Sequence, residues 1–170
     1  MDSYGSSSQS TRYSSACPDR NALPELMEPP YTPGKGVAAA ATKIGKIGVM
    51  ICADSFEKPL LIEMRDMKPD FVLIPYGWAA AETKWPEHGM KLKETVQNAA
   101  RTIGRPVIGT DLVGEMCHGP WVGRVYGGQS VGADANGNIL FISKDRDADL
   151  SLTTVNLQPR LVTASSPGAG

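Results

Sequence analysis

Between Lys46 and Asp54 the chain reads Lys-Ile-Gly-Val-Met-Ile-Cys-Ala-Asp, an apolar, β-branched run that ends abruptly in a thiol and a carboxylate. Such a run predicts a buried strand with Cys52 at its C-terminal end. Leu60, Leu61, Met64 and Met67 then fall at helical spacing between Phe56 and Lys68, which makes a strand, elbow and helix unit. In open α/β sheets, ligands gather outside the carboxyl ends of the strands, where loops vary on a rigid support. A thiol at that edge is placed to attack a substrate. Free cysteine is also among the most buried residue types, and a cysteine in an apolar strand is usually core, so taken alone the residue reads more readily as core than as nucleophile.

The pattern repeats downstream. Pro69-Asp70 opens a second strand over Phe71 to Pro75, and Met90, Leu92, Val96, Ala99, Ala100 and Ile103 space a helix from Glu87 to Ile103 that Gly104 ends. A first strand is expected near Val37 to Thr42, fed into the next by a Gly45-Lys46 turn, and another over Pro106 to Thr110. Beyond it, Tyr126 to Ala133 and Ile139 to Ser143 flank Asn136-Gly137, a tight-hairpin signal. Leu152 to Leu157 predicts a last strand. Strands alternating with helices, then strands alone, predict an α/β layered sandwich with a mixed sheet.

Residues 1–18 are serine-rich and aperiodic, which predicts a disordered segment; residues 19–157 form the domain, and residues 158–170 a flexible tail. Pro24, Pro29, Pro30, Pro33, Gly34 and Gly36 favour an extended loop. The 170 residues are 41% apolar with a formal charge of -1, and the charges are interspersed, so neither nucleic acid nor an anionic membrane is expected as a partner. No apolar run is long enough to span a bilayer, and the N-terminus lacks the regions of a signal peptide; a cytoplasmic location is the expectation. Cys17, Cys52 and Cys117 fit no disulfide framework and no zinc spacing, and are expected to be reduced.

Pro33-Gly, the run from Lys46 to Asp54, Lys68-Pro-Asp-Phe-Val-Leu-Ile-Pro75 with Trp78, and Gly127-Gly-Gln-Ser130 with Asn136-Gly137 stand in an order that resembles the carbon-nitrogen hydrolase (nitrilase and amidase) superfamily. The resemblance covers about Arg20 to Leu157. It implies a four-layer α-β-β-α sandwich of the nitrilase type, a homo-oligomer, no cofactor, and a small-molecule substrate. It also implies hydrolysis of a non-peptide carbon–nitrogen bond in a small amide, N-carbamoyl compound or nitrile, through a thioester on a cysteine.

Carried over residue by residue, the family's nucleophile falls on Cys52 and its second glutamate on Glu28, with Glu25 in the same loop as fallback. The position nearest the family lysine holds Arg20, which stabilises an oxyanion but lacks lysine's compact charge and its ability to exchange a proton, and which reads equally as linker. Ala53, Tyr76 and Trp78 are the candidate substrate contacts. For the two aromatics, packing at a loop is the competing reading, and Trp85 and Trp121 are equivalent candidates. The family's general-base glutamate sits on an upstream strand–helix unit that these residues do not supply, so the chain corresponds to the C-terminal part of the domain. That departure keeps open a catalytically incomplete relative acting as a binding or association module.

Other constellations are weaker. His88 opens a helix beside charged residues and reads as solvated. Cys117-His118 lacks a third metal ligand, and Gly34-Lys-Gly36 and Gly127-Gly128 lack phosphate-loop spacing.

Overall fold

The structure, a computed structural model, describes residues 36–117, 119 and 121–157. Its main sheet has six strands in the order β1-β2-β3-β5-β8-β9. Strands β1 (Ala38–Thr42) and β2 (Gly45–Val49) form an antiparallel hairpin, whose turn lies at Lys43-Ile44. Helix α1 (Lys58–Asp66) carries the chain to β3 (Phe71–Tyr76), parallel to β2. The two-residue strand β4 (Ala79–Ala80) and a 3₁₀ turn at Glu82–Lys84 precede helix α2 (Glu87–Ile103), which Gly104 ends in the left-handed conformation (φ 69°). Strand β5 (Val107–Asp111) is parallel to β3. Strands β8 (Val131–Ala133) and β9 (Ile139–Ile142) complete the sheet antiparallel. A small second sheet, β4-β7-β6, joins β4 to β6 (Val113–Glu115) through β7 (Val125–Gly127).

The helices cover one face of the main sheet. Val72, Ile74 and Tyr76 of β3, Val107 of β5 and Val131 of β8 pack there with Leu61 and Met64 of α1 and Leu92, Val96, Ala99, Ala100 and Ile103 of α2. A close approach requires Gly48 on β2, because a Cβ there would collide with the Met64 side chain. Burial of these side chains, at about 25 cal/mol per Å² of apolar surface, is the main force holding helices to sheet. By register, the opposite face carries Ile47, Val49, Phe71, Leu73, Ile108 and Phe141. Val49 is 45% exposed and Leu73 36%.

Four expectations need correction. The stretch 126–133 is not one hairpin arm, because Tyr126 pairs with Gly114 in the small sheet while Val131 pairs with Gly109 in the large one. The Asn136-Gly137 signal sits in a wider connection held by Asp134, whose carboxylate accepts the amides of Asn136 and Asn138 at 2.9 Å. Residues 152–157 form no strand, and Leu152 is 94% exposed, so its apolar side chains pair with nothing in the sheet. Cys117 is disulfide-bonded, so it is not the reduced thiol expected. The disorder and tail expected for residues 1–18 and 158–170 lie outside the described residues. No described helix is long and apolar enough to cross a membrane.

Candidate active site

Strand β2 ends at Val49, and Cys52 opens a 3₁₀ turn, Cys52–Phe56, at the C-terminal edge of the parallel strands. Cys52 thus lies beyond the strand rather than in it. Its φ of 42° is left-handed, a conformation that costs a non-glycine residue about 1 kcal/mol or more. The turn is held from both ends. Asp54 accepts the Ile51 amide on Oδ2 at 2.8 Å and donates its own amide to the Ile51 carbonyl at 2.9 Å. Ser55 Oγ donates to the Cys52 carbonyl at 2.7 Å, and Tyr76 Oη donates to Ser55 Oγ at 2.9 Å.

Tyr76 and Ser55 are both buried, 3% and 2% exposed. Burial pushes the Tyr76 phenol up to about 12, the Ser55 hydrogen bond partly offsets this, and the nearby Cys52 charge adds to it. Tyr76 therefore stays protonated as a donor and braces the cysteine turn from inside the core. Cys52 itself is half-buried with a free thiol, packed on the core edge.

Trp78 flanks the turn. Its ring meets Phe56 edge-on at 5.6 Å and Tyr76 at 6.2 Å, and stacks on His88 at 4.9 Å. Its Nε1 donates to the His88 carbonyl at 2.8 Å, and its amide donates to Asp111 Oδ1 at 2.8 Å. Asp111 ends β5 with Oδ2 buried and unpartnered; burial raises its carboxyl to about 6, against the pull of the amides of Trp78, Leu112, Gly128 and Gly127. Gly127 is needed here, since a Cβ would strike the Trp85 ring and lie 3.2 Å from Asp111 Oδ2.

The structure thus brings Cys52, Ala53, Tyr76 and Trp78 to one sheet edge, while Glu28, Glu25 and Arg20 lie outside the described residues. Sequence reasoning singled out Asp54 as the carboxylate closing the apolar run but not its bracing role, and it missed Ser55 and Asp111. Asp111 had a usable signal, a carboxylate ending an apolar run as Asp54 follows Cys52. His88, expected to be solvated, is partly buried against Trp78 and Trp85. Among the described residues no group of three or more His, Cys, Asp or Glu side chains is gathered to hold a metal.

The carbon-nitrogen hydrolase family model matches residues 8–163. The chain belongs to the carbon-nitrogen hydrolase family. A search of curated proteins found no match. Among solved structures, this carbon-nitrogen hydrolase chain is similar to a carbon-nitrogen hydrolase from Helicobacter pylori G27, with TM-score 0.60, 22% identity, and coverage of 69% of this chain and 43% of that one. It is also similar to Nit3 of Saccharomyces cerevisiae, a member of branch 10 of the nitrilase superfamily (TM-score 0.54, 20% identity, 69% and 40% covered). A third likeness is to an amidase of Nesterenkonia AN1 from the nitrilase superfamily (TM-score 0.52, 19% identity, 69% and 40% covered). These likenesses give the nitrilase-type fold, and the chain spans less than half the length of the three proteins.

Proposed function

We propose that this chain carries the nucleophile portion of a hydrolase for small amides, N-carbamoyl compounds or nitriles, with Cys52 as the attacking residue. The observation that supports it most is a free thiol held at left-handed φ on a braced turn outside the carboxyl ends of parallel strands. With an amide, the Cys52 thiolate forms an S–C bond at the carbonyl carbon. The tetrahedral intermediate then expels the amine, which takes a proton from the general acid, and the thioester is hydrolysed to the acid and free thiol. The Ala53 amide, at the start of a turn where N–H groups lack partners within the turn, is the proposed oxyanion donor, a contact worth about 3 kcal/mol. Glu28 and Arg20 are proposed as the orienting carboxylate and the supporting cation. Tyr76 and Trp78 position the turn and border the site.

A second reading, a catalytically incomplete relative acting by binding or association, is supported by the absence, among the described residues, of an acid–base group bonded to the Cys52 thiol. General acid–base assistance contributes about 10²- to 10⁴-fold, so its loss would leave little turnover. A homo-oligomer is proposed under either reading, because the uncovered face of the sheet is apolar.

Intact-protein mass spectrometry separates the two. In a Nesterenkonia AN1 amidase mutant, the acetamide moiety of fluoroacetamide adds covalently at the active site cysteine. Incubation of this chain with fluoroacetamide and a panel of small amides, carbamoyl compounds and nitriles is expected to give adducts that vanish in Cys52→Ala. No substrate adduct, while a general thiol reagent still labels Cys52, would reject catalysis in favour of the binding reading.

A further inference from the structure

Three loops converge on Asp111 where β5 ends. The Trp78 amide, in the loop after β3, donates to Asp111 Oδ1 at 2.8 Å, and the Asp111 amide donates to Ser130 Oγ, in the connection from β7 to β8, at 3.0 Å. Around this carboxyl the same loops bond one another. The Gly127 amide donates to the Trp78 carbonyl at 3.3 Å, and the Gly128 amide to the Leu112 carbonyl at 2.7 Å. Asp111 Oδ2 is buried with no hydrogen-bond partner among the described residues. Burying an unpartnered polar atom is unfavourable, and more so when it carries charge, so the closed arrangement favours the neutral acid.

Asp111 reaches the cysteine turn by two routes. In register it stands beside Tyr76, whose hydroxyl donates to Ser55 Oγ, which in turn donates to the Cys52 carbonyl. Through the Trp78 amide it also anchors the residue whose ring meets Phe56, the last residue of the Cys52–Phe56 turn, at 5.6 Å.

We propose that Asp111 is a positioning residue for Cys52: its neutral carboxyl clasps the Trp78 loop against the cysteine turn, and its ionisation releases that loop. The bearing on catalysis rests on the hydrolase reading above, whereas the clasp itself is tested without turnover.

Burial raises this carboxyl to about 6 against the amides of Trp78, Leu112, Gly128 and Gly127, and no neighbouring charge contributes. The titratable groups around it are Tyr76, His88 stacked on Trp78, and, past the Gly127-Gly128 turn, Arg146 and Asp147. Tyr76, pushed up to about 12, stays protonated, and Arg146 is paired with Glu82 and Asp145. His88, held below the ordinary histidine value by burial, Lys91 and Arg124, is the group whose titration must be separated from that of Asp111. Opening of the loop solvates the carboxyl and returns it toward 3.8, so the open fraction should grow about tenfold between pH 5 and pH 7.5.

The test follows hydrogen exchange of the Trp78 amide by NMR in the full native chain, Asp111→Asn and Asp111→Ala, as protection relative to the free-peptide rate at each pH. Native protection is expected to fall about tenfold from pH 5 to pH 7.5. Asp111→Asn, neutral at both values and with His88 in place, should hold its protection, and Asp111→Ala should lack it at both. A second readout is the rate at which a pyridyl disulfide labels Cys52. The native chain should react like Asp111→Asn at pH 5 and like Asp111→Ala at pH 7.5. Native protection that does not change with pH, or that falls equally in Asp111→Asn and so belongs to His88, overturns the clasp. The expected exchange pattern with one labelling rate in all three chains overturns the link to Cys52. Both patterns as expected, with no adduct from any small amide, would uphold the clasp and overturn the hydrolase reading.

Discussion

The relay from Tyr76 through Ser55 to the Cys52 carbonyl makes a quantitative prediction. Tyr76→Phe removes one neutral hydrogen bond of 2.9 Å while Ser55 Oγ keeps its acceptor, so the expected loss of stability is about 1 kcal/mol. Ser55→Ala is worse, because it strips the Cys52 carbonyl of its donor and leaves the buried Tyr76 hydroxyl unpaired; about 2–3 kcal/mol is expected. In the double variant the unpaired phenol is gone, so the total should fall short of the sum by about 1 kcal/mol. Urea unfolding of the native chain, both single variants and the double variant, followed by tryptophan fluorescence, measures the coupling. The reaction rate of Cys52 with a thiol reagent in the folded chain reports whether the turn loosens. Additivity within about 0.3 kcal/mol, with an unchanged thiol rate, would refute the claim that this relay braces the cysteine turn.

Asp111 titrates near 6 in the fold against 3.8 when unperturbed, so the folded state holds its proton more tightly than the unfolded chain. Its contribution to stability is therefore greatest below pH 4 and is lost as pH rises through 6. Asp111→Asn should gain on the native chain by about 1–2 kcal/mol between pH 4.5 and 7.5, a figure discounted for solvent at this partly exposed carboxyl. Unfolding free energies at the two pH values check this, and a constant difference would refute it. Met64→Ala, at a fully buried position facing Gly48, should cost about 2–5 kcal/mol, read as a lower urea midpoint with an unchanged slope; a loss under about 1 kcal/mol would show that the α1–sheet contact is not tight.

Local patterns were the legible part of the sequence. Helix α2 runs from Glu87 to Ile103 as the spacing and Gly104 dictate, because periodicity and a left-handed cap are properties of neighbouring residues. The fate of residues 126–133 was illegible, since only pairing with β6 and β5 decides which sheet each half joins. The same distinction runs through the site. Cys52 announced itself by ending an apolar run, but Tyr76, bonded to Ser55 21 residues before it, and Asp111, bonded to Trp78 33 residues before it, join the site only through the tertiary fold. Nothing local marks Ser55 as a buried hydroxyl rather than a surface one.

The second face of the main sheet has a consequence for the thiol's accessibility. Val49 lies on that face at the end of β2, and Ile51, 64% exposed, immediately precedes Cys52. Each 100 Å² of such surface withdrawn from water is favourable by about 2.5 kcal/mol, so this face strongly favours a covering layer. A layer seated there reaches the rim where the chain leaves β2 for the cysteine turn. It therefore walls the cysteine turn as well as roofing the sheet, and how closely it packs on Val49 and Ile51 sets how much water reaches the Cys52 thiol.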